Sequence, residues 1–187
     1  MIRALFYSDF LMRIISGTHK GRRIQAPKKL PVRPTTDRAK EGLFNMLQHR
    51  RELPSSHILD LFSGTGNMSY EFASRQCAKI QAVDQNFHCV QFIKKTSAGL
   101  SLSVEVIQSE CLNFLEKTTI AYDIIFADPP YDFETAQYNT LVAAGRDRLD
   151  NEGLLIVEHF EKVELDSLEG FDFKRAYGNS VFSFFTK

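Results

Sequence analysis

From residue 56 onward, short apolar runs alternate with longer stretches whose apolar positions recur every three to four residues. "HILDLF" (57–62), "KIQAVD" (79–84), "VEVIQ" (104–108), "YDIIFA" (122–127) and "GLLIVEH" (153–159) are short and bounded by turn residues, and read as strands. "GNMSYEFASR" (66–75), "QNFHCVQFIKKTSAG" (85–99), "ECLNFLEK" (110–117) and "ETAQYNTLVAAGRDRL" (134–149) read as the helices between them. In the second of these Phe87, Val90 and Ile93 fall on one stripe, and Gly99 stops it. "FDFKRAYG" (171–178) and "SVFSFFTK" (180–187) close the chain as two strands around Gly178-Asn179. Regular β-α alternation predicts an α/β fold of Rossmann-like type. Its seven-stranded sheet would be mostly parallel, covered by helices on both faces, with one antiparallel strand from the closing pair.

Ahead of this block the pattern differs. "RIISGTHKGRRIQAP" (13–27) alternates loosely and turns at Gly17 and Gly21, as a short hairpin does. "KKLPVRPTT" (28–36) is an extended, proline-punctuated linker. "DRAKEGLFNMLQHR" (37–50) places Ala39, Leu43, Met46 and Leu47 near one helical stripe, with Asp37 at the positive end of the dipole. The expected organisation is an extension outside the core (1–11), a basic hairpin and helix (12–52) and a catalytic domain (53–187).

Composition narrows the class. At 187 residues, 43% hydrophobic and 25% charged, the chain suits one soluble domain with a core of its own. No apolar run approaches the ~20 residues of a membrane span. "MIRALFYSDFLMR" carries Asp9 and lacks a small-residue cleavage site, which argues against a signal peptide. Cys77, Cys89 and Cys111 match no zinc spacing, and scattered thiols suit a reducing cytoplasm, so no metal is expected. The five histidines form no cluster. Net charge is zero, yet residues 1–51 hold 12 Lys/Arg against 3 Asp/Glu, and the remainder holds 11 against 20. A basic arm meeting a polyanion is one reading of that split; a solvated basic face is the other.

Candidate chemistry lies at the strand ends, where ligands of such sheets bind. "DLFSGTGN" follows the first strand, and Gly64 and Gly66 let a ligand approach the backbone. Asp84 ends the second strand, ~20 residues on, where a carboxylate can accept both ribose hydroxyls of an adenosine. Ser69 stands where a dinucleotide loop has its third small residue. Asp60, four residues before Gly64, would repel a pyrophosphate. It suits a cofactor bearing an ammonium and a sulfonium, which is S-adenosylmethionine, with S-adenosylhomocysteine as product.

"FADPPYDF" (126–133) follows the fourth strand. An exocyclic base amine is a poor nucleophile because its lone pair is delocalised. Asp128 offers a side-chain acceptor and Pro129 a carbonyl for its two N–H groups. Pro130 fixes the chain and Tyr131 offers a stacking face. A plain rigid turn is the alternative, and it weakens once the preceding strand ends are taken together.

Several blocks then coincide with a known pattern. "MRIISGTHKGRRI", "RPTTDRAKEGLFNML", "ILDLFSGTGNMSYEFASR", "YDIIFADPPY", "GLLIVEH" and "YGNSVFSFF" resemble the RsmD-type ribosomal RNA (guanine-N2-)-methyltransferases from about Met12 to the C-terminus. The resemblance implies a class I methyltransferase fold acting on small-subunit (16S) ribosomal RNA. It implies that Asp60, Gly64 and Gly66 hold the methionine end of the cofactor and Asp84 the ribose, with Phe62 and Gln85 beside them. Glu110 stands where the family usually has Asp near the adenine, which places Glu110 and Cys111 in the cofactor set. Asn67-Met68-Ser69 replaces the usual small residues after the loop. Asp128, Pro129, Pro130 and Tyr131 would hold the target amine. Lys20, Arg22, Arg23, Arg33 and Arg38 would contact RNA phosphates. The protein is expected in the cytoplasm, as a monomer whose partner is ribosomal RNA within the small ribosomal subunit. A DNA amino-methyltransferase shares the chemistry, but 187 residues leave little room for a target-recognition domain. A nicotinamide oxidoreductase conflicts with Asp60 and the Asp-Pro-Pro-Tyr turn, and a silent RNA-binding module with Asp128 and Tyr131.

Overall fold

In a computed structural model that describes residues 10–27, 30 and 35–187, nine strands and five α-helices follow one another. In chain order they are β1 (Phe10–Arg13), β2 (Arg23–Ala26), α1 (Asp37–Arg50), β3 (His57–Leu61), α2 (Asn67–Ser74), β4 (Lys79–Asp84) and α3 (Phe87–Gly99). There follow β5 (Glu105–Gln108), α4 (Cys111–Lys117), β6 (Tyr122–Ala127), α5 (Thr135–Asp147), β7 (Leu149–Phe160), β8 (Phe171–Tyr177) and β9 (Ser180–Phe185). The main sheet runs β5-β4-β3-β6-β7-β9-β8. Its first five strands are parallel, and β9 is inserted antiparallel between β7 and β8. The single reversed strand expected from the closing pair is therefore β9.

Two apolar layers sandwich the sheet. One face packs Leu59, Leu61, Ile125, Leu155 and Val157 against Leu115, Tyr138, Leu141 and Val142 of α4 and α5. The other packs Ile58, Ile124, Phe126, Ile156 and Phe182 against Phe72 and against Ala39, Leu43, Phe44 and Leu47 of α1. The helix before the catalytic block thus shares the sheet's own core. The β1–β2 hairpin joins it through Met12, Ile14, Ile24 and Ala26, which meet Tyr70, Ala82 and Ile93.

A buried polar knot fixes this junction. Lys40, fully buried, donates to the Arg13 carbonyl at 2.6 Å and to Asn67 Oδ1 at 2.8 Å, and faces Glu71 at 3.4 Å. Glu71 accepts from the Ile15 and Ser16 amides and pairs with Arg75 at 3.0 Å. Each buried charge has partners, as burial requires.

The elements differ from expectation in three places. The hairpin starts at Phe10, because Phe10 and Leu11 pair with Ala26 and Gln25. Helix α5 ends at Asp147 and Leu149 already belongs to β7, where it is fully buried opposite Tyr122. Phe87 is 53% exposed, whereas Val90 and Ile93 of the same stripe are buried. Phe87 occupies the first position of α3.

Candidate active site

Parallel pairing sets the carboxyl ends of four strands side by side. Leu61 pairs with Val83 and with Ala127, and Ala127 pairs with Val157. One residue further, Asp84, Phe62, Asp128 and Glu158 stand as neighbours along one row. Asp60 lies one residue short of Leu61, fully buried at the end of β3. Sequence-distant acids are gathered here because parallel strands end on the same side.

The cofactor half of the row is built from the chain's own donors. Ser69 Oγ, in the first turn of α2, donates to Asp60, so the residue replacing a small one after the glycine loop serves as that acid's partner. Burial is the larger influence and pushes the Asp60 carboxyl up to about 7. A bound cation would lower the cost of ionising it. Asp84 accepts from the Gly64 amide at 2.7 Å and the Asn86 amide at 2.8 Å. Burial still holds its carboxyl above the usual range. An ionised carboxylate has about four acceptor sites, so two remain for ribose hydroxyls. Gly66 sits at φ +78°, and a Cβ there would lie 2.7 Å from the Tyr70 ring. Phe62, a non-glycine at φ 56°, is strained at the same turn. Gln85 follows Asp84, and its carbonyl accepts from Gln108 at 3.3 Å. Glu110 caps α4, accepting from Leu112 and Asn113 at 3.1 and 2.8 Å. That role fixes the helix start and turns the carboxylate toward its own backbone. Cys111 is buried beside it, its thiol pushed up to about 12 by burial.

The target half is the turn after β6. The Phe133 amide donates to the Pro130 carbonyl at 3.0 Å, closing the turn. Pro129 is buried, Pro130 is exposed and Tyr131 is 73% exposed, presenting its ring outward. Phe133 bridges the two halves, with its ring 5.5 Å from Phe62 and 5.1 Å from Tyr138. Burial, then the charges of Glu158 and Asp60, push the Asp128 carboxyl well above the usual range. Tyr138 is pushed up to about 12 by burial and by Asp128.

Two site residues escaped the sequence reading. Glu158, in β7 one residue beyond its last pairing with β6, accepts from Thr35 Oγ1 at 2.5 Å, and burial raises its carboxyl. Thr35 is held in turn, its carbonyl accepting from Asn67 Nδ2 at 3.1 Å. The strand-end criterion that selects Asp84 and Asp128 applies equally to Glu158. Thr35 carries no local signal, because its partner lies 123 residues away.

The basic candidates separate. Lys20 and Arg22 line a groove with Gly99, Leu100 and Ser101, at the end of α3 opposite the acid row. Arg38 is exposed in the first turn of α1, three residues from Thr35. Arg23 is exposed in β2, opposite Arg13, which pairs with Asp37 at 3.1 Å. Arg33 lies outside the described residues.

Comparison with known proteins gives consistent results. A family described as "Conserved hypothetical protein 95" matches residues 12–186. "Ribosomal RNA small subunit methyltransferase D" of Escherichia coli K12 is 30% identical over 148 residues, 79% of this chain and 74% of the relative. "Putative rRNA methyltransferase YlbH" of Bacillus subtilis is 32% identical over 164 residues, 85% of this chain and 88% of the relative. A solved structure described as the putative methyltransferase yhhF of Escherichia coli superposes with a TM-score of 0.80 at 27% identity, covering 95% of this chain and 98% of that one. The Thermus thermophilus 16S rRNA N2 G1207 methyltransferase, solved with AdoMet and guanosine, superposes with a TM-score of 0.75 at 20% identity, covering 96% of this chain and 50% of that one. The latter likeness shows a shared fold alone.

Proposed function

The chain belongs to the ribosomal RNA small subunit methyltransferase D family, and from that premise we propose that it methylates the exocyclic N2 amine of a guanine in 16S ribosomal RNA, using S-adenosylmethionine. The observation that carries this reading is the adjacency of the Asp128–Tyr131 turn to the Asp60–Gly66 loop, through the pairing of Leu61 with Ala127. Methyl donor and amine would meet between two neighbouring strand ends.

Asp60 and the backbone of Gly64 and Gly66 would hold the methionine end of the cofactor, and Asp84 its ribose. When bound, the cofactor supplies an electrophilic methyl group on a cationic sulfur. Asp128 accepts one N–H of the target amine and the Pro129 carbonyl the other, which localises the nitrogen lone pair. Pro129 has no N–H to compete for that geometry, and Pro130 restricts its backbone. Asp128 then takes the proton that the methylated amine sheds. Tyr131 stacks on the base, which reaches the pocket unpaired or flipped out. Rate comes from orientation and preset acceptors. Arg38 and Arg23 contact RNA phosphates near the pocket, and Lys20 and Arg22 contact more distant ones.

Incubation with labelled S-adenosylmethionine and undermethylated small subunits, free ribosomal RNA or DNA tests this reading. N2-methylguanine in ribosomal RNA is the expected product. Label in N6-methyladenine, DNA or protein contradicts it.

A further inference from the structure

Bases with an exocyclic amine differ in what flanks it. In guanine the N2 amine lies between N1–H, a donor, and N3, an acceptor. In adenine the N6 amine lies between two acceptors, N1 and N7. In cytosine the N4 amine has the N3 acceptor on one side. A carboxylate beside the group that grips the amine therefore finds a donor only in guanine.

The structure has such a second carboxylate. Val157 pairs with Ala127, so Glu158 is the strand-end neighbour of Asp128. On its other side it pairs with Phe182, and only 6% of its surface is exposed. Its orientation is fixed at a distance. Thr35 Oγ1 donates to it at 2.5 Å, Asn67 Nδ2 holds the Thr35 carbonyl at 3.1 Å, and Lys40 holds Asn67 at 2.8 Å. An acid buried opposite Phe182 is expensive to keep ionised. Glutamine would accept the Thr35 hydroxyl equally well without that cost.

Building on the function proposed above, we propose that Glu158 sets the enzyme's base specificity by accepting the N1–H of guanine while Asp128 and the Pro129 carbonyl hold N2. The Thr35 hydroxyl keeps the Glu158 carboxylate aimed at that edge, so the linker before α1 contributes to base choice without touching the base. Adenine or cytosine would bring a ring-nitrogen lone pair against the carboxylate, which would keep its protein donors, Thr35 and Ser180, but gain none from the base. Sites built around a substrate N–H discriminate strongly against analogues lacking it, because the buried partner is left unsatisfied.

The test uses 2-aminopurine, which keeps the N2 amine and replaces N1–H with an acceptor. Small subunits are reconstituted with guanine or 2-aminopurine at the methylated position, and single-turnover methylation is measured at saturating S-adenosylmethionine. The wild-type enzyme should prefer guanine by ~100-fold or more. Glu158→Gln, whose amide N–H can meet the acceptor, should narrow that preference by ~10-fold or more and leave S-adenosylmethionine affinity unchanged. Thr35→Val should narrow it less. Comparable wild-type rates on the two bases overturn the proposal whether or not any variant folds. So does a Glu158→Gln enzyme that slows equally on both. Absence of guanine methylation by the wild type would instead refute the underlying function.

Discussion

Asp60 and Asp84 occupy the half of the site made by β3 and β4, where their own chain already donates to them through Ser69, Gly64 and Asn86. Asp128 stands one strand over, between Asp60 and Glu158, and their negative charge adds to what burial does. Under the proposed function, the first half receives a cation and two hydroxyls. The second concentrates acceptors that a substrate's N–H groups must satisfy. Substitutions in the first half should therefore act on cofactor affinity and fold stability, and those in the second on turnover and base choice.

The largest effect expected from this contrast belongs to the target half. Asp128→Ala should lower the single-turnover rate by ~10³-fold or more, while calorimetry shows S-adenosylmethionine bound as tightly as by the wild type. Loss of cofactor binding would erase the division between the halves. In the cofactor half, Asp60→Asn should weaken S-adenosylmethionine binding by roughly 10–100-fold, as loss of a close opposite charge does.

The same substitution has a pH signature. The Asp60 carboxyl is raised on folding from 3.8 to about 7. The folded state then binds more protons than the unfolded state between those values. The contribution to stability is complete below about 4 and falls as pH rises toward 7. At about 1.4 kcal/mol per tenfold, the difference is on the order of 4 kcal/mol at neutral pH. Melting temperatures of the cofactor-free protein should decline over that window, and Asp60→Asn should flatten the decline. Asp128 and Glu158 are displaced in the same direction, so part of the slope will survive. An unchanged slope would mean that Asp60 is satisfied without a cation.

Tyr131→Ala should cost ~10-fold in kcat/KM for RNA, within the ~1–3 kcal/mol of one stacked base, and leave cofactor affinity intact. Smaller still is the separation within the basic set. Arg38→Gln should weaken RNA binding several-fold and reduce its salt dependence by about one phosphate contact. Arg22→Gln, at the groove by Ser101, should have the lesser effect on the methylation rate. Equal effects would show that the distant phosphate contacts matter to the methylation rate as much as the near ones.

Most of the candidate cofactor half is legible in the sequence because its signals are local. Short apolar runs, the glycines at 64 and 66 and acids near the ends of β3 and β4 are each visible within a single segment. The turn at Asp128–Tyr131 was readable because two prolines leave few conformations. What was missed depends on pairing across the chain. Glu158 joins the candidate site only once β7 is known to lie beside β6, and Thr35 only once its hydroxyl is known to reach Glu158. Lys40 shares the buried face of α1 with Leu43, Phe44 and Leu47, which a periodicity count penalises. Its partners Asn67 and Glu71 lie on α2, so its burial becomes intelligible from the fold alone. Phe87 departs in the other direction, because spacing along a helix does not tell which of its turns a neighbour covers.

The central claim is geometric, and a crystal structure with S-adenosylhomocysteine and guanosine tests it most directly. The guanine N2 should lie within about 2.7–3.2 Å of both an Asp128 carboxylate oxygen and the Pro129 carbonyl, on the side of the turn that faces the cofactor. An amine bound elsewhere, or an Asp128 carboxylate turned away from the adenosyl cleft, would contradict the account.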